Sequence, residues 1–299
     1  MEQRFTIQFT CEQQGQLLRE AIAAYGISKR ALTSIKYDGG EITVNGSEQN
    51  VRYVLSEGDL VRIVFPIEQS SEGLIPEYAP LNIVYEDEAV LIINKPPYMN
   101  TIPSREHPTG SVANHVLGYY KQQNIQSTIH IVTRLDRDTS GLMCIAKHRH
   151  VHHLLSEMQQ NGQLHRQYEA LVQGHVGSTH VSIVQPIGRK NTSIIEREVR
   201  EDGQFAHTKL STLRHFQYDG QPMSHVRLKL LTGRTHQIRV HCAFIGHPLV
   251  GDELYGGSRL HLPHQALQCV SLAFYHPILH KEMAFTCELN EQMTKLMKR

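Results

Sequence analysis

A chain of 299 residues is long enough for two domains, and its 40% hydrophobic content is that of an ordinary globular protein. No apolar run approaches the ~20 residues of a membrane helix, and Met1-Glu2-Gln3-Arg4-Phe5 lacks the apolar core of a signal peptide. The 30 basic side chains barely exceed the 29 acidic ones, so bulk charge lends no support to a nucleic-acid partner and local clustering has to supply it.

Phe5, Ile7 and Phe9 alternate with polar residues and predict a half-buried strand over 4–10. Residues 16–25 have the spacing of an amphipathic helix, stopped by Gly26. Ser28 can cap a second helix over 29–36, which Gly39-Gly40 breaks. Residues 41–44 form a strand that runs into an Asn45-Gly46 turn, and Gly58-Asp59 turns into a strand over 60–65. The polar stretch 68–73, among Pro66, Pro76 and Pro80, is the expected linker. This divides the chain into domains at 1–66 and 81–299, with 67–80 between them.

Residues 81–97 read as two strands about an acidic turn, and 111–121 fit a helix. At 129–146 two apolar runs of strand length flank Thr133-Arg134-Leu135-Asp136-Arg137-Asp138-Thr139-Ser140-Gly141. Turn chemistry accounts for Asp138 to Gly141. Arg134 and Arg137 around Asp136 do more: opposite charge favours the ionised carboxylate, and the pair attracts polyanions. A charged loop between strands is most often only a solvated one, so spacing alone leaves both readings open.

His148 and His152 stand four residues apart, as metal ligands on a helix do. No Cys, Asp or Glu pattern joins them, so no metal is expected, and a basic lead-in to a helix over 154–160 is the simpler reading. A strand over 166–174 carries Tyr168, ordinarily a core residue. Pro186-Ile187-Gly188-Arg189 reads as a turn. The strands expected at 194–199, 207–213 and 225–231 are short and alternating, which predicts antiparallel pairing; no strand–helix–strand repeat calls for a doubly wound sheet. Gly233 ends a strand, and Thr232 or Thr235 can cap a helix running to about Ile245. Its N-terminus attracts anions, with Arg234 at that end and Arg239 about a turn further on. Phe285 closes a last strand and 291–298 form a short helix. Cys11, Cys144, Cys242, Cys269 and Cys287 are odd in number and widely spaced, as thiols of a reducing compartment are; the cytoplasm is expected.

Arg134-Leu135-Asp136-Arg137, followed by Thr139-Ser140-Gly141-Leu142, resembles the signature of the RluA-type pseudouridine synthases. Gly233-Arg234-Thr235-His236-Gln237-Ile238-Arg239-Val240-His241 matches a second family motif word for word. Asn94-Lys95-Pro96, the Pro186–Arg189 stretch, residues 246–252, Tyr255-Gly256 and Ala266-Leu267 leading into 271–277 continue the likeness. It covers 81–289 well and 1–66 loosely, where the two short helices and small strands resemble an S4-type RNA-binding domain.

The resemblance implies an α+β fold. A catalytic domain with a mixed, mainly antiparallel sheet would follow a small N-terminal S4-like α+β domain. It implies isomerisation of a flipped-out uridine to pseudouridine in structured RNA, ribosomal or transfer. Asp136 would be the catalytic aspartate, attacking C1′ of the ribose or removing the C2′ proton, and Arg239 its counterion. Tyr168 would be the active-site tyrosine, its ring stacking on the base and its hydroxyl hydrogen-bonding or moving a proton. Arg134, Arg137 and Lys95 are the expected RNA contacts, with Lys29, Arg30 and Lys36 in the S4-like part; Arg234 and Gln237 would either bind RNA or support the side chains that react. Atoms are rearranged but not exchanged, and no Walker or dinucleotide motif is present, so no cofactor is implied. RNA is the expected partner of a monomer.

Four positions depart from the family's wording: Thr133 and Ile102 stand where His is usual, His264 where Arg is common, and Gln268 where His is common. The last two bear on substrate choice at the C-terminal edge. Two other classes remain. Asp136-Arg137-Asp138-Thr139 partly fits the wording of haloacid-dehalogenase-type phosphotransferases, which needs a parallel sheet and magnesium. Thr133 leaves room for a non-catalytic RNA-binding module. Tritium release from C5-labelled uridine separates enzyme from binder.

Overall fold

The computed structural model describes residues 4–69 and 73–298. Residues 1–3 of the N-terminal reading and 70–72 of the expected linker therefore lie outside the described residues.

The N-terminal residues build β1 (Thr6–Thr10), α1 (Leu18–Ala24), α2 (Lys29–Tyr37), β2 (Glu41–Val44), β3 (Ser47–Glu48) and β4 (Leu60–Val64). The strands pair antiparallel in the order β1-β4-β2-β3. Alternation in β1 turns Ile7 and Phe9 inward, where they meet Leu18, Ile22, Ile35, Val61 and Ile63 in a core of their own. The Ser28 hydroxyl accepts from Ala31 N–H and caps α2, as its position before a basic-polar helix predicts.

The rest of the chain contributes β5 (Ile83–Glu86), β6 (Val90–Lys95), α3 (Val112–Gln122), β7 (His130–Ile131), β8 (Ser140–Ala146), α4 (Arg149–Gln160), β9 (His165–Gln173) and β10 (His180–Val184). There follow β11 (Ile187–Arg189), β12 (Arg197–Val199), β13 (His207–Tyr218), β14 (Gln221–Leu230), α5 (Gln237–Phe244), a 3-10 turn (Glu253–Tyr255), β15 (Leu267–Tyr275), β16 (Glu282–Thr286) and α6 (Glu291–Met297). The large sheet runs β10-β13-β14-β9-β15-β8-β6-β5, with β16 beside β15 and β7 beside β8. Every pair is antiparallel except β8 with β15. The sheet is thus mixed and mainly antiparallel, and the parallel sheet that a phosphotransferase of the dehalogenase type needs is not built. β8 is buried along its whole length and β6 nearly so, which is why their sequences are continuous apolar runs rather than alternating ones.

Three local expectations give way. The Pro186–Arg189 stretch is not a turn: Ile187–Arg189 is a strand paired to Arg197–Val199. The strand expected from 194 starts only at Arg197, leaving Ile194 82% and Ile195 60% exposed at the hairpin tip. Glu68, expected in a solvated linker, is instead anchored. It accepts from Arg149 N–H at 2.7 Å at the start of α4 and bonds the His130 ring.

Candidate active site

Asp136 sits in the loop between β7 and β8, and its neighbours hold that loop from three sides. Thr101 Oγ1 donates to Leu135 O at 2.7 Å and accepts from Leu135 N–H. Gln265 Nε2 donates to Thr139 Oγ1. Lys95 Nζ donates to the carbonyls of Pro96, Met99 and Arg137 at 2.8, 2.8 and 2.9 Å. Lys95 was expected to face RNA; at 1% exposed it does not reach solvent, because all three of its N–H donors go to loop carbonyls. Burial pushes its pKa down to about 7, against the pull of Asp138 and Asp136. Thr133, in the place of the usual His, is fully buried and accepts from Cys144 N–H at 2.9 Å, so this departure ties the loop to β8 rather than facing a substrate.

Gly141 sets how closely β8 approaches β15. Its φ is +112°, and a Cβ there would lie 2.2 Å from Cys269 O. Only glycine permits that crossing, which carries the Asp136 loop toward the strand that precedes the C-terminal segment.

Arg239 comes from α5 and is 8% exposed. Its Nη1 donates to Asp136 Oδ2 at 3.2 Å. Nε and Nη2 form a bidentate pair with Asp252 at 2.8 Å each, and the Tyr255 ring lies 4.9 Å from the guanidinium carbon. Burial alone would lower the pKa of Arg239, but the two aspartates overcome it and raise it. Neither Thr232 nor Thr235 caps α5, contrary to expectation. His236 takes the N-cap position in a left-handed conformation (φ 56°), and Thr232 Oγ1 instead accepts from His207 N–H. Of the two roles open to Gln237, RNA contact gives way to support: it is 2% exposed and bonds Thr232, Thr208, His207 O and Arg234 N–H, clamping the motif to β13.

A cavity of about 660 Å3 opens over Asp136. Arg134, Arg137, Arg166, Arg234, Arg239 and Arg259 line it, against the carboxylates of Asp136, Asp138, Asp252 and Glu253. This local excess of cations is what the near-neutral chain as a whole does not announce. Arg134 and Arg137 are exposed at its wall, and Ile102 and Ile195 stand at it as apolar groups. Lys29, Arg30 and Lys36 are exposed on α2, remote in sequence from this cavity.

Tyr168 is brought near but not into the cavity. Its ring is 3% exposed within the main core, so its face is not open for a base to stack on. The hydroxyl lies 3.5 Å from Arg166 Nη1, and burial drives its pKa well above the usual range. His264 and Gln268 are also buried. They bond Gln292, Glu288 O and Asn290 N–H, so they anchor the C-terminal segment instead of meeting a substrate.

Sequence reasoning missed Asp252, Tyr255, His236, Arg166 and Arg259. Asp252 and Tyr255 belong to stretches that continue the family likeness, but spacing gives no sign that residues thirteen and sixteen places after Arg239 fold back beneath it. Among the described residues no group of three metal-ligating side chains comes together; His152 bonds Ile131 O and His148 faces Glu68.

Residues 89–244 match the family model for RNA pseudouridylate synthase. The chain is 50% identical over 283 residues, 94% of its length and 98% of the relative's, to YjbO of Bacillus subtilis, named as an uncharacterized RNA pseudouridine synthase. It is 38% identical over 254 residues to the ribosomal large subunit pseudouridine synthase D of Escherichia coli, covering 80% of this chain and 76% of that one. Among solved structures it is similar to human RNA pseudouridylate synthase domain containing 1, with a TM-score of 0.60 at 26% identity, covering 74% of this chain and 86% of that one. Sequence motifs, sheet and relatives agree, and the chain belongs to the RluA-type family of RNA pseudouridine synthases, which are isomerases acting on RNA.

Proposed function

We propose that Asp136 is the catalytic carboxylate, acting on a uridine flipped out of its stack into the arginine-lined cavity. The observation that supports this most is the 3.2 Å contact between Arg239 and Asp136 at the cavity floor. A uridine cannot react while stacked, and extruding it costs a few kcal/mol, which contacts at the site have to offset. Arg134, Arg137 and Arg234 take phosphates near the flipped nucleotide. The anionic oxygen of Asp136 attacks C1′ or removes the C2′ proton. On the first route the carboxylate oxygen displaces N1 from C1′, the base turns, and C5 displaces the carboxylate in turn. On the second the N1–C1′ bond breaks as the C2′ proton is taken, C5 bonds to C1′ after the base turns, and Asp136 returns the proton to C2′. On both, the C5 proton leaves and N1 gains one. No electrons or groups enter, so no nucleotide or redox cofactor is needed. Tyr168 serves through its hydroxyl beside Arg166 rather than as a stacking face.

Residues 1–66 are read as an S4-like RNA grip through Lys29, Arg30 and Lys36, and 81–299 as the catalytic domain of a cytoplasmic monomer. The substrate is proposed to be ribosomal RNA, since relatives named for the large ribosomal subunit match over most of the chain. Pseudouridine mapping of total RNA from cells with and without the gene tests this. The reading expects one or more large-subunit positions to lose the modification; unchanged maps across all RNA classes contradict it.

A further inference from the structure

Asp136 does not have Arg239 to itself. Asp252, whose side chain is 1% exposed, takes two of the guanidinium donors at 2.8 Å, and Asp136 receives one at 3.2 Å. Two carboxylates share one cation, so a buried Asp136 needs a further donor if it is to stay charged once RNA expels water. The nearest is His236. Its ring is largely buried at the cavity wall, with Nε2 3.8 Å from Asp136 Oδ2. Its Nδ1 lies 2.7 Å from the Tyr255 hydroxyl, and that hydroxyl oxygen already accepts from Arg197 N–H at 3.0 Å. The phenolic proton is then free to point at Nδ1, and among the described residues it has no other acceptor. A proton on Tyr255 directed at Nδ1 requires the imidazole's own proton to sit on Nε2, the nitrogen facing Asp136.

We infer that His236 is a positioning residue of this site. Held in the Nε2–H tautomer by Tyr255, it aims a donor at Asp136 Oδ2 and leaves Oδ1 as the oxygen presented to the ribose. Both neighbours of the carboxylate fall on Oδ2; among the described residues no donor is placed against Oδ1. The 3.8 Å separation tightens to a hydrogen bond when RNA closes the cavity, as such contacts commonly do on substrate binding. His236 holds this place with a left-handed backbone at φ 56°, which a residue other than glycine adopts at a local cost. Burial also lowers the pKa of His236, with Asp136 pulling the other way, which favours the neutral ring that the arrangement uses.

This rests on Asp136 being the reacting carboxylate, and two measurements on the full chain keep the two claims apart. The first needs no turnover: 15N–1H correlation spectra of the imidazoles, with His236 assigned by its absence in His236→Gln. The inference expects Nε2 protonated and Nδ1 of pyridine type at pH 7, and a mixed tautomer in Tyr255→Phe. A protonated Nδ1 in the native chain overturns it. The second is single-turnover tritium release from C5-labelled RNA. His236→Ala is expected to slow release 10- to 100-fold with RNA affinity unchanged. His236→Gln, which can return an amide donor, should recover most of that loss. Tyr255→Phe should slow the native chain about 10-fold but add nothing on His236→Ala. Native-rate His236→Ala, or full additivity of the two changes, overturns the inference. Should Asp136→Asn release tritium at the native rate, the reading of Asp136 fails while the tautomer result still decides the role of His236.

Discussion

Arg239 is the residue on which the local electrostatics turn, because one guanidinium serves Asp136 and Asp252 together. Removing the charge of Asp252 leaves the cation, already buried, with only its weaker partner. Asp252→Asn is therefore expected to cost on the order of 3 kcal/mol in denaturant unfolding, in the range for breaking a buried ion pair. It should also lower turnover by about 100-fold while RNA affinity stays the same, since Arg239 would no longer be locked in place. Lys95 shows the opposite lesson. Its position in Asn94-Lys95-Pro96 marked it as functional, yet its buried ammonium satisfies three loop carbonyls. Lys95→Met should destabilise by about 2–4 kcal/mol, since each carbonyl left unpaired carries its own desolvation cost. Unfolding that matches the native chain would contradict this. Sequence shows which side chains are charged; whether a charge meets solvent or backbone depends on the loop that covers it, and no local pattern encodes that.

Elements were legible where one local rule governs them. The helix of α3, the Ser28 cap before α2 and the buried runs of β6 and β8 follow from spacing and capping. The hairpin of β13 and β14 was read as two short strands, although Asp219-Gly220 is a two-residue turn with φ 53° and 74° that joins them into one long ribbon. Its polar outer residues hid the strand length. The start of α5 was not legible, because a threonine rule competes there with a histidine in a left-handed conformation held by contacts from elsewhere in the chain. The pairing of β8 with β15 likewise joins residues far apart in sequence. Gly141→Ala tests it: the added methyl would meet Cys269 O, and a loss of roughly 3 kcal/mol or more is expected, with turnover falling in parallel. Native stability would show that the strands can part without cost.

Across the whole molecule, the two cores meet through aromatic and histidine side chains. Phe5 and Ile278 pack against both cores, and His148 stacks on Phe5 at 4.5 Å and meets Phe65 edge-on at 4.8 Å. His150 stacks on Phe65 at 5.3 Å. Burial pushes both histidines from 6.5 to about 4. Between those values the unfolded chain binds the protons that the folded one refuses. Their stabilising contribution is thus whole above pH 6.5 and falls as pH drops toward 4, by ~2 kcal/mol for each histidine at pH 5. The melting temperature should fall from pH 7 to pH 5, and less so in His150→Phe; an equal slope in that variant would place the pH sensitivity elsewhere. The central claim concerns Asp136, and one comparison tests it most directly: tritium release from C5-labelled RNA by the full chain and by Asp136→Asn, with RNA affinity measured on both. The account predicts no release by the variant at native affinity. Release at the native rate would mean that another group carries the chemistry.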